Sequence, residues 1–189
     1  MIYLIGDSHS SIVGESTIVQ RYGLSFQTTA HNLYKHRDEI LSILSKNTHE
    51  KWWFLFGEVD CGIHINKQAI KYNNYIEPIY DTCTRYLQFL GSLDYSIGVF
   101  AIPPQGIGEN LGYQYYADRA TRQFFTDEFN ACLSILAPIY NLEFADFLPQ
   151  LRYGVVEENL FQDPTHLRTD VVVKSIEKWY MKEYTNENR

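Results

Sequence analysis

The stretch from Ile2 to Ser10, with the sequence IYLIGDSHS, sets the start of the fold. Its apolar run predicts a short buried strand that ends at Gly6. Polar residues follow at once, beginning with Asp7 and Ser8. In a parallel sheet, ligands bind beyond the carboxyl ends of the strands. The stretch therefore predicts a first strand that leads directly into a candidate site.

Strand-like and helix-like segments alternate along the rest of the chain. Further strands are predicted at 24–29, 51–56, 95–102 and 142–145. Helices are predicted at 33–45, 75–90, 119–140 and 171–184, where apolar residues recur at helical spacing. This alternation predicts an α/β fold, a three-layer α/β/α sandwich with a parallel sheet of about five strands.

Length and composition indicate one globular domain. The chain has 189 residues, of which 45% are hydrophobic and 21% charged. We expect a single domain over 1–184, followed by a frayed polar tail over 185–189. The net charge of -7 has the wrong sign for a protein that binds phosphate backbones, so nucleic acid is not an expected partner.

Cysteine content and hydropathy bear on the cellular location. The 3 cysteines are widely spaced and form neither a disulfide framework nor a metal-binding pair. No apolar run approaches the roughly 20 residues needed to cross a bilayer, and the amino-terminal residues do not resemble a signal peptide. We therefore expect a cytoplasmic protein that does not insert into membranes.

Three residues have the chemistry of a serine hydrolase. A serine becomes a nucleophile when a base takes its proton, and the base needs an acid to orient it and stabilise its positive form. Asp163 and His166 supply such a pair, three residues apart in a turn that contains Pro164. Ser8 is the obvious hydroxyl. Taken alone, these residues also fit a structural role, in which Asp163 caps the turn, His166 is a partly buried surface histidine and Ser8 bonds to the backbone. Ser8, Asp163 and His166 are therefore the candidate catalytic residues.

The order and position of these motifs resemble the SGNH hydrolases, also called the GDSL family. The resemblance rests on Gly6-Asp7-Ser8 after the first strand and Asp163-Pro164-Thr165-His166 before the last helix, and it extends over almost the whole chain. It implies a flavodoxin-like α/β/α fold, Ser8 as nucleophile, His166 as general base and Asp163 as the residue that orients it. No cofactor is implied.

The sequence departs from this family at the expected oxyanion hole. The family's third block is Gly-x-Asn-Asp, whereas this chain has Gly57-Glu58-Val59-Asp60 and lacks the amide side chain. The family takes another oxyanion donor from a glycine in its second sequence block. This chain has no clear glycine there, although Asn32 or a backbone amide could substitute. Losing one oxyanion donor costs about a hundred- to a thousand-fold in rate.

The resemblance gives the remaining polar residues of these blocks possible binding roles. The oxyanion or substrate-binding candidates are Asp7, Asn32, Gly57, Glu58 and Asp60. We favour a structural role for Asp60 and leave that of Glu58 open. His31 and His64 are weaker candidates for direct participation, since a lone histidine is more often a surface or satisfied core residue.

Other chemistries fit the sequence less well. Asp7 and His9 have the spacing of an Asp-x-His metal motif, but the further ligand block of metallophosphoesterases is missing, so no metal is expected. Ser8 also lacks the second glycine of a Gly-x-Ser-x-Gly elbow. Gly106-Ile107-Gly108 lacks the strand-to-helix context of a dinucleotide site.

These residues favour a serine esterase that removes acetyl or other small acyl groups from a carbohydrate. The block from Gly57 to Cys61 is similar to a variant found in SGNH-like proteins associated with bacterial polysaccharides. Tyrosines 113, 115 and 116 lie in a long loop and fit either a sugar platform or a hydrophobic flap. Two alternatives remain: a sugar O-acyltransferase with the same triad, and a weakened carbohydrate-binding protein.

Overall fold

The computed structural model describes residues 1–7, 18–25, 28–48, 50–109, 112–151 and 157–185. Five strands form a parallel sheet in the order β2-β1-β3-β4-β5. The strands are β1 (Ile2–Gly6), β2 (Val19–Tyr22), β3 (Trp52–Leu55), β4 (Ile97–Phe100) and β5 (Glu143–Ala145). The predicted parallel sheet is confirmed.

The central strand β3 explains how the two faces of the sheet are covered. Its sequence WWFL is buried at every position. Side chains of a strand alternate between the two faces, so Trp52 and Phe54 enter one hydrophobic cluster while Trp53 and Leu55 enter the other. A strand that is apolar on both faces needs a helix layer on each side.

The helices supply those two layers. They are α1 (Arg37–Leu44), α2 (Ile65–Tyr72), α3 (Ile76–Gly91), α4 (Arg119–Leu136) and α5 (Thr169–Thr185). Buried hydrophobic residues from each of α1 to α4 belong to the cluster of Trp52, whereas α5 packs Val172 and Ile176 into the cluster of Trp53. The three-layer α/β/α architecture is therefore confirmed. None of the described helices combines the length and apolar character required to cross a membrane.

Several local predictions differ from the structure. The second strand covers Val19–Tyr22 rather than 24–29, and it pairs with β1 at the edge of the sheet. The segment predicted as one helix at 33–45 divides into a 3-10 helix, Ala30–His36, and α1. Helix α2 and the π-helical turn Asp60–His64 before it were not predicted. The remaining strands and helices agree with the prediction apart from their ends.

Candidate active site

A cleft of about 550 Å³ lies beyond the carboxyl ends of β1, β2 and β3. It contains the residue that follows β1 and residues that follow β2 and β3, together with His166 from the turn before α5. Its lining residues include Asp7, Arg21, Thr28, Phe56, Glu58, Val59, Gly62, Tyr113, Tyr116, Thr165 and His166. A parallel α/β sheet places ligands at this edge.

The turn before α5 brings Asp163 and His166 together. The His166 ring nitrogen Nδ1 lies 2.9 Å from Asp163 Oδ2 and 3.0 Å from Oδ1. Asp163 Oδ1 also accepts the backbone N–H groups of Thr165 and His166, each at 2.8 Å. These bonds fix the carboxylate against the ring, so Nε2 is the imidazole nitrogen suited to exchange a proton with a substrate or nucleophile.

The same contacts keep Asp163 ionised. Burial opposes its negative charge, but hydrogen bonds from Thr165 and from the backbone and ring of His166 outweigh burial and lower the pKa of Asp163 to about 2. An ionised carboxylate on Nδ1 holds the neutral ring in the tautomer whose Nε2 is a base, and it stabilises the imidazolium that forms on protonation.

Neighbouring backbone segments hold this turn in place. Phe161 and Leu167 form an antiparallel bridge across it, and the Gln162 N–H donates to the His166 carbonyl at 2.9 Å. In addition, the Gly108 N–H donates to the Pro164 carbonyl at 2.7 Å. The turn that contains Asp163 and His166 is thus closed by backbone hydrogen bonds at its base, and a further hydrogen bond joins it to the segment that follows β4.

Another part of the cleft lining comes from residues that follow β1 and β3. The Asp7 N–H donates to the Leu55 carbonyl at 3.1 Å, and the Asp7 carboxylate accepts the Gly57 N–H at 3.3 Å. Glu58 and Val59 both line the cleft, and Glu58 is 8% exposed. Ser8, the predicted nucleophile, lies outside the described residues, as does His9. Its predicted contact with His166 stays a prediction.

Gly57 occupies its position because it has no side chain. Its φ is +131°, in a region that L side chains rarely adopt. A Cβ there would lie 2.3 Å from Ile102 Cδ1 and 3.0 Å from Phe129 Cε1. The glycine therefore allows the chain to turn from β3 into the cleft wall without displacing the core.

Asp60 lies beneath the cleft rather than in its lining. It is 0% exposed, and its Oδ2 accepts the Ala30 N–H at 2.7 Å, joining the segment after β2 to the segment after β3. Burial raises the pKa of Asp60, and His64 and hydrogen bonds from residues 29–31 oppose that shift. This bond accounts for a structural role of Asp60.

In the segment after β2, Thr28 lines the cleft, whereas Asn32 was the expected residue. Asn32 is not among the lining residues, and its side-chain amide donates to Thr29 Oγ1 at 3.4 Å. Thr28 lines the cleft instead, and its hydroxyl has no hydrogen-bond partner among the described residues.

Cys61 is buried, and burial raises the pKa of its thiol well above the usual value, which disfavours a thiolate nucleophile.

His31 and His64 lie away from this cleft. They line a separate cavity of about 370 Å³ together with Asp81 from α3. His31 Nδ1 lies 3.9 Å from Asp81 Oδ2. Burial and the nearby Arg85 lower the pKa of His31, so the neutral ring is favoured there.

Two of the three loop tyrosines reach the cleft. Tyr113 and Tyr116 line it, with ring centroids 6.4 Å apart. Tyr115 has a φ of 70°, and its backbone carbonyl accepts a hydrogen bond from the side-chain amide of Asn66 at 2.9 Å. Arg21 also lines the cleft and was not predicted as a site residue. The one feature of the sequence that could have indicated Arg21 is its place near the end of strand β2, but this strand was predicted at 24–29.

Comparison with known proteins identifies the fold. No protein-family model matches the sequence, and no curated protein matches it. Among solved structures, the chain is similar to a catalytic mutant of Axe2, an acetylxylan esterase from Geobacillus stearothermophilus, with a TM-score of 0.61 and 13% identity. That alignment covers 96% of this chain and 92% of the other.

Two further structures cover nearly the full length of both chains. A member of the lipolytic protein G-D-S-L family from Veillonella parvula DSM 2008 has a TM-score of 0.59 and 12% identity over 97% of each chain. The psychrotrophic esterase EstA from Pseudoalteromonas sp. has a TM-score of 0.54 and 11% identity over 98% of each chain. Together with the five-stranded sheet and its two helix layers, these similarities confirm the fold predicted from the motifs: the chain has the SGNH-hydrolase fold of the GDSL esterases and lipases.

Proposed function

We propose that this protein is a serine ester hydrolase that removes an acetyl or other small acyl group from a carbohydrate. The observation that carries the proposal is the Asp163-His166 pair, in which Nδ1 lies 2.9 Å from the carboxylate while the ring lines a cleft. An aspartate with a pKa of about 2 is ionised throughout the pH range in which a histidine acts as a base.

In the proposed reaction, Ser8 Oγ attacks the ester carbonyl carbon as His166 Nε2 takes the serine proton. The resulting tetrahedral intermediate collapses, the bond to the alcohol oxygen breaks, and His166 returns the proton to that oxygen. Water then attacks the acyl-serine while His166 again takes a proton, and return of that proton to Ser8 releases the acid. Asp163 remains ionised and stabilises the imidazolium in both halves of the reaction.

Residues that line the cleft support a carbohydrate as the substrate. Tyr113 and Tyr116 offer aromatic faces, and Glu58 offers a carboxylate that accepts hydrogen bonds from hydroxyl groups. The similarity to Axe2 supports the same substrate class, since Axe2 is an acetylxylan esterase and two of its catalytic mutants replace an aspartate and a histidine three positions apart. Asp163 and His166 have that spacing.

The first test is labelling with a fluorophosphonate, which detects an activated serine without knowledge of the substrate. We expect one label per chain, located at Ser8 by peptide mapping and lost in Ser8→Ala. Ser10→Ala is the matched control, because it removes a neighbouring hydroxyl outside the proposed triad. Hydrolysis of p-nitrophenyl acetate should fall about 10⁴-fold or more in Ser8→Ala.

Val59 favours a second candidate, a carbohydrate-binding protein that has lost most of its activity. Val59 lines the cleft and has no side-chain donor for an oxyanion. Absence of labelling in a folded sample, combined with binding of acetylated oligosaccharides in calorimetry, would favour this candidate over the esterase. A sugar O-acyltransferase would instead be labelled at Ser8 and transfer the acyl group to a sugar hydroxyl faster than to water.

A further inference from the structure

Arg122, on helix α4, is an unusual side chain for the interior of this protein. It is 0% exposed, although arginines are almost never fully buried unless their charge is compensated. Removing a guanidinium from water costs several kcal/mol, and the protein recovers this cost only if hydrogen bonds satisfy the group. The partners of Arg122 therefore indicate what the burial achieves.

Those partners are backbone carbonyls of the loop between β4 and α4. Arg122 Nη2 donates to the carbonyls of Gly106 and Gly108, each at 2.8 Å, and Nη1 donates to the Ala117 carbonyl. Nε has no hydrogen-bond partner among the described residues, so the two terminal nitrogens make all the hydrogen bonds described for this guanidinium. The guanidinium carbon lies 4.1 Å from the centre of the Tyr116 ring. One side chain thus joins the beginning and the end of this loop and packs against a tyrosine of the cleft wall.

The beginning of the loop is in direct contact with the turn that holds the Asp163-His166 pair. The Gly108 N–H donates to the Pro164 carbonyl at 2.7 Å. Gly106 packs so closely that a Cβ on it would lie 2.3 Å from the Pro164 oxygen and 2.5 Å from Thr165 Cα. A shift of Gly106 or Gly108 would therefore move the backbone between Asp163 and His166.

We propose that Arg122 is a positioning residue for the active site, which fixes His166 through Gly106, Gly108 and Pro164 while it holds Tyr116 against the cleft. The effect on reaction rate rests on the proposed function, but the effect on His166 geometry does not. Misplacement of a catalytic group by about 1 Å can cost about a hundred-fold in rate, which sets the scale expected here.

Two substitutions separate the hydrogen bonds from the volume of the side chain. Arg122→Met keeps an unbranched apolar chain and removes every donor, whereas Arg122→Lys keeps the charge and can reach one carbonyl. Leu133→Ala is the control for general destabilisation, because Leu133 is a fully buried residue of the same helix in the core cluster of Trp52. All three variants should have a lower Tm than the parent.

The decisive measurements are made at a temperature at which every variant is folded. We expect Arg122→Met to lower kcat for p-nitrophenyl acetate about a hundred-fold and to raise the exchange rate of the His166 Nδ1–H, seen by NMR of ¹⁵N-histidine, at least about ten-fold. Arg122→Lys should lie between Arg122→Met and the parent in both quantities. Leu133→Ala should change neither, even where its Tm is equally low.

The two readouts distinguish failure of this inference from failure of the proposed function. If the parent protein neither hydrolyses esters nor reacts with the fluorophosphonate, the proposed function is wrong, while faster Nδ1–H exchange in Arg122→Met still supports positioning. If folded Arg122→Met keeps the parent's exchange rate and kcat, Arg122 does not position His166. Equal changes in Arg122→Met and Leu133→Ala would likewise overturn the inference, since stability alone would explain them.

Discussion

At the scale of single residues, the environment of Asp163 makes a pH-dependent contribution to stability. The pKa of Asp163 is about 2 in the folded protein, below its ordinary value of 3.8. A carboxyl whose pKa falls on folding stabilises the protein fully above its unfolded pKa, and this contribution is lost as the pH falls through the folded pKa. The stabilising contribution of Asp163 is therefore lost as the pH falls from about 4 to 2.

Comparison of the parent protein with Asp163→Asn tests this contribution. We expect a difference in the free energy of urea unfolding that shrinks as the pH falls from about 4 to 2. Asp170→Asn is the control, because Asp170 forms an exposed pair with Arg168 nearby. A difference that begins to shrink near pH 6 would contradict the low pKa of Asp163.

Val59 leads to a prediction about catalysis. Its side chain lines the cleft beside Glu58 but cannot donate a hydrogen bond. If the oxyanion hole lacks one donor, Val59→Asn should raise kcat for p-nitrophenyl acetate, by at most about a hundred- to a thousand-fold. Val59→Leu is the control that changes shape without adding a donor. An unchanged rate in folded Val59→Asn would mean that another group already supplies the bond.

At the scale of secondary-structure elements, Asn130 links α4 to the end of β4. Its Oδ1 accepts the Ile102 N–H at 2.7 Å, and its Nδ2 donates to the Ile102 carbonyl at 2.9 Å. Pro103 and Pro104 follow and have no N–H group with which to extend the strand's hydrogen bonding. One buried side chain therefore satisfies both backbone groups of the residue that leads into the cleft loop.

Asn130→Ala should accordingly destabilise the protein. It leaves two buried backbone groups unpaired, at about 1–3 kcal/mol each, so we expect a loss of roughly 2–6 kcal/mol in the free energy of unfolding. Ser134→Ala is the control, because the exposed Ser134 hydroxyl bonds only within the same helix, and its effect should stay within about 0.5 kcal/mol. Similar losses in the two variants, measured by urea unfolding, would contradict the assigned role of Asn130.

The elements also show why the sequence located some segments and missed others. Helix α3 was predicted from apolar residues at helical spacing, and four of them, Ile79, Cys83, Leu87 and Leu90, are buried in the structure. Helix α2 has eight residues, fewer than the window of about 11–18 residues over which helical periodicity is recognised, and Ile65 is its only buried residue. Strand β2 exposes Gln20 and Arg21 at the sheet edge, and its weak pattern led to its prediction some residues too late.

At the scale of the whole molecule, one sheet is shared by two hydrophobic clusters. Trp52 belongs to one cluster, while Trp53 and Trp179 contact each other in the second, with ring centroids 4.9 Å apart. Because neighbouring residues of β3 enter opposite clusters, neither helix layer can separate without exposing the central strand. We therefore expect the domain to unfold as one cooperative unit.

Tryptophan fluorescence can follow the two clusters separately. Trp52→Phe leaves only tryptophans of the second cluster, and the double variant Trp53→Phe/Trp179→Phe leaves only Trp52. In each variant, the urea midpoint from fluorescence should equal the midpoint from far-UV circular dichroism. Separate midpoints within one variant would mean that the helix layers unfold independently.

The sequence by itself determined the fold class and brought out the motif that contains Asp163 and His166. Both are properties of short stretches: apolar runs such as Trp52–Leu55 identify buried strands, and the spacing of Asp163 and His166 lets a single turn join them. The parallel direction of the strands then follows from the alternation of strands and helices.

Only the tertiary structure decided which distant residues surround the cleft. It put Thr28 rather than Asn32 in the wall, set His31 and His64 around another cavity, and buried Arg122 against Gly106 and Gly108. These placements depend on contacts between segments far apart in the chain. No local pattern encodes such contacts, because burial of a charged arginine is favourable only once the carbonyls that receive it have been brought together by folding.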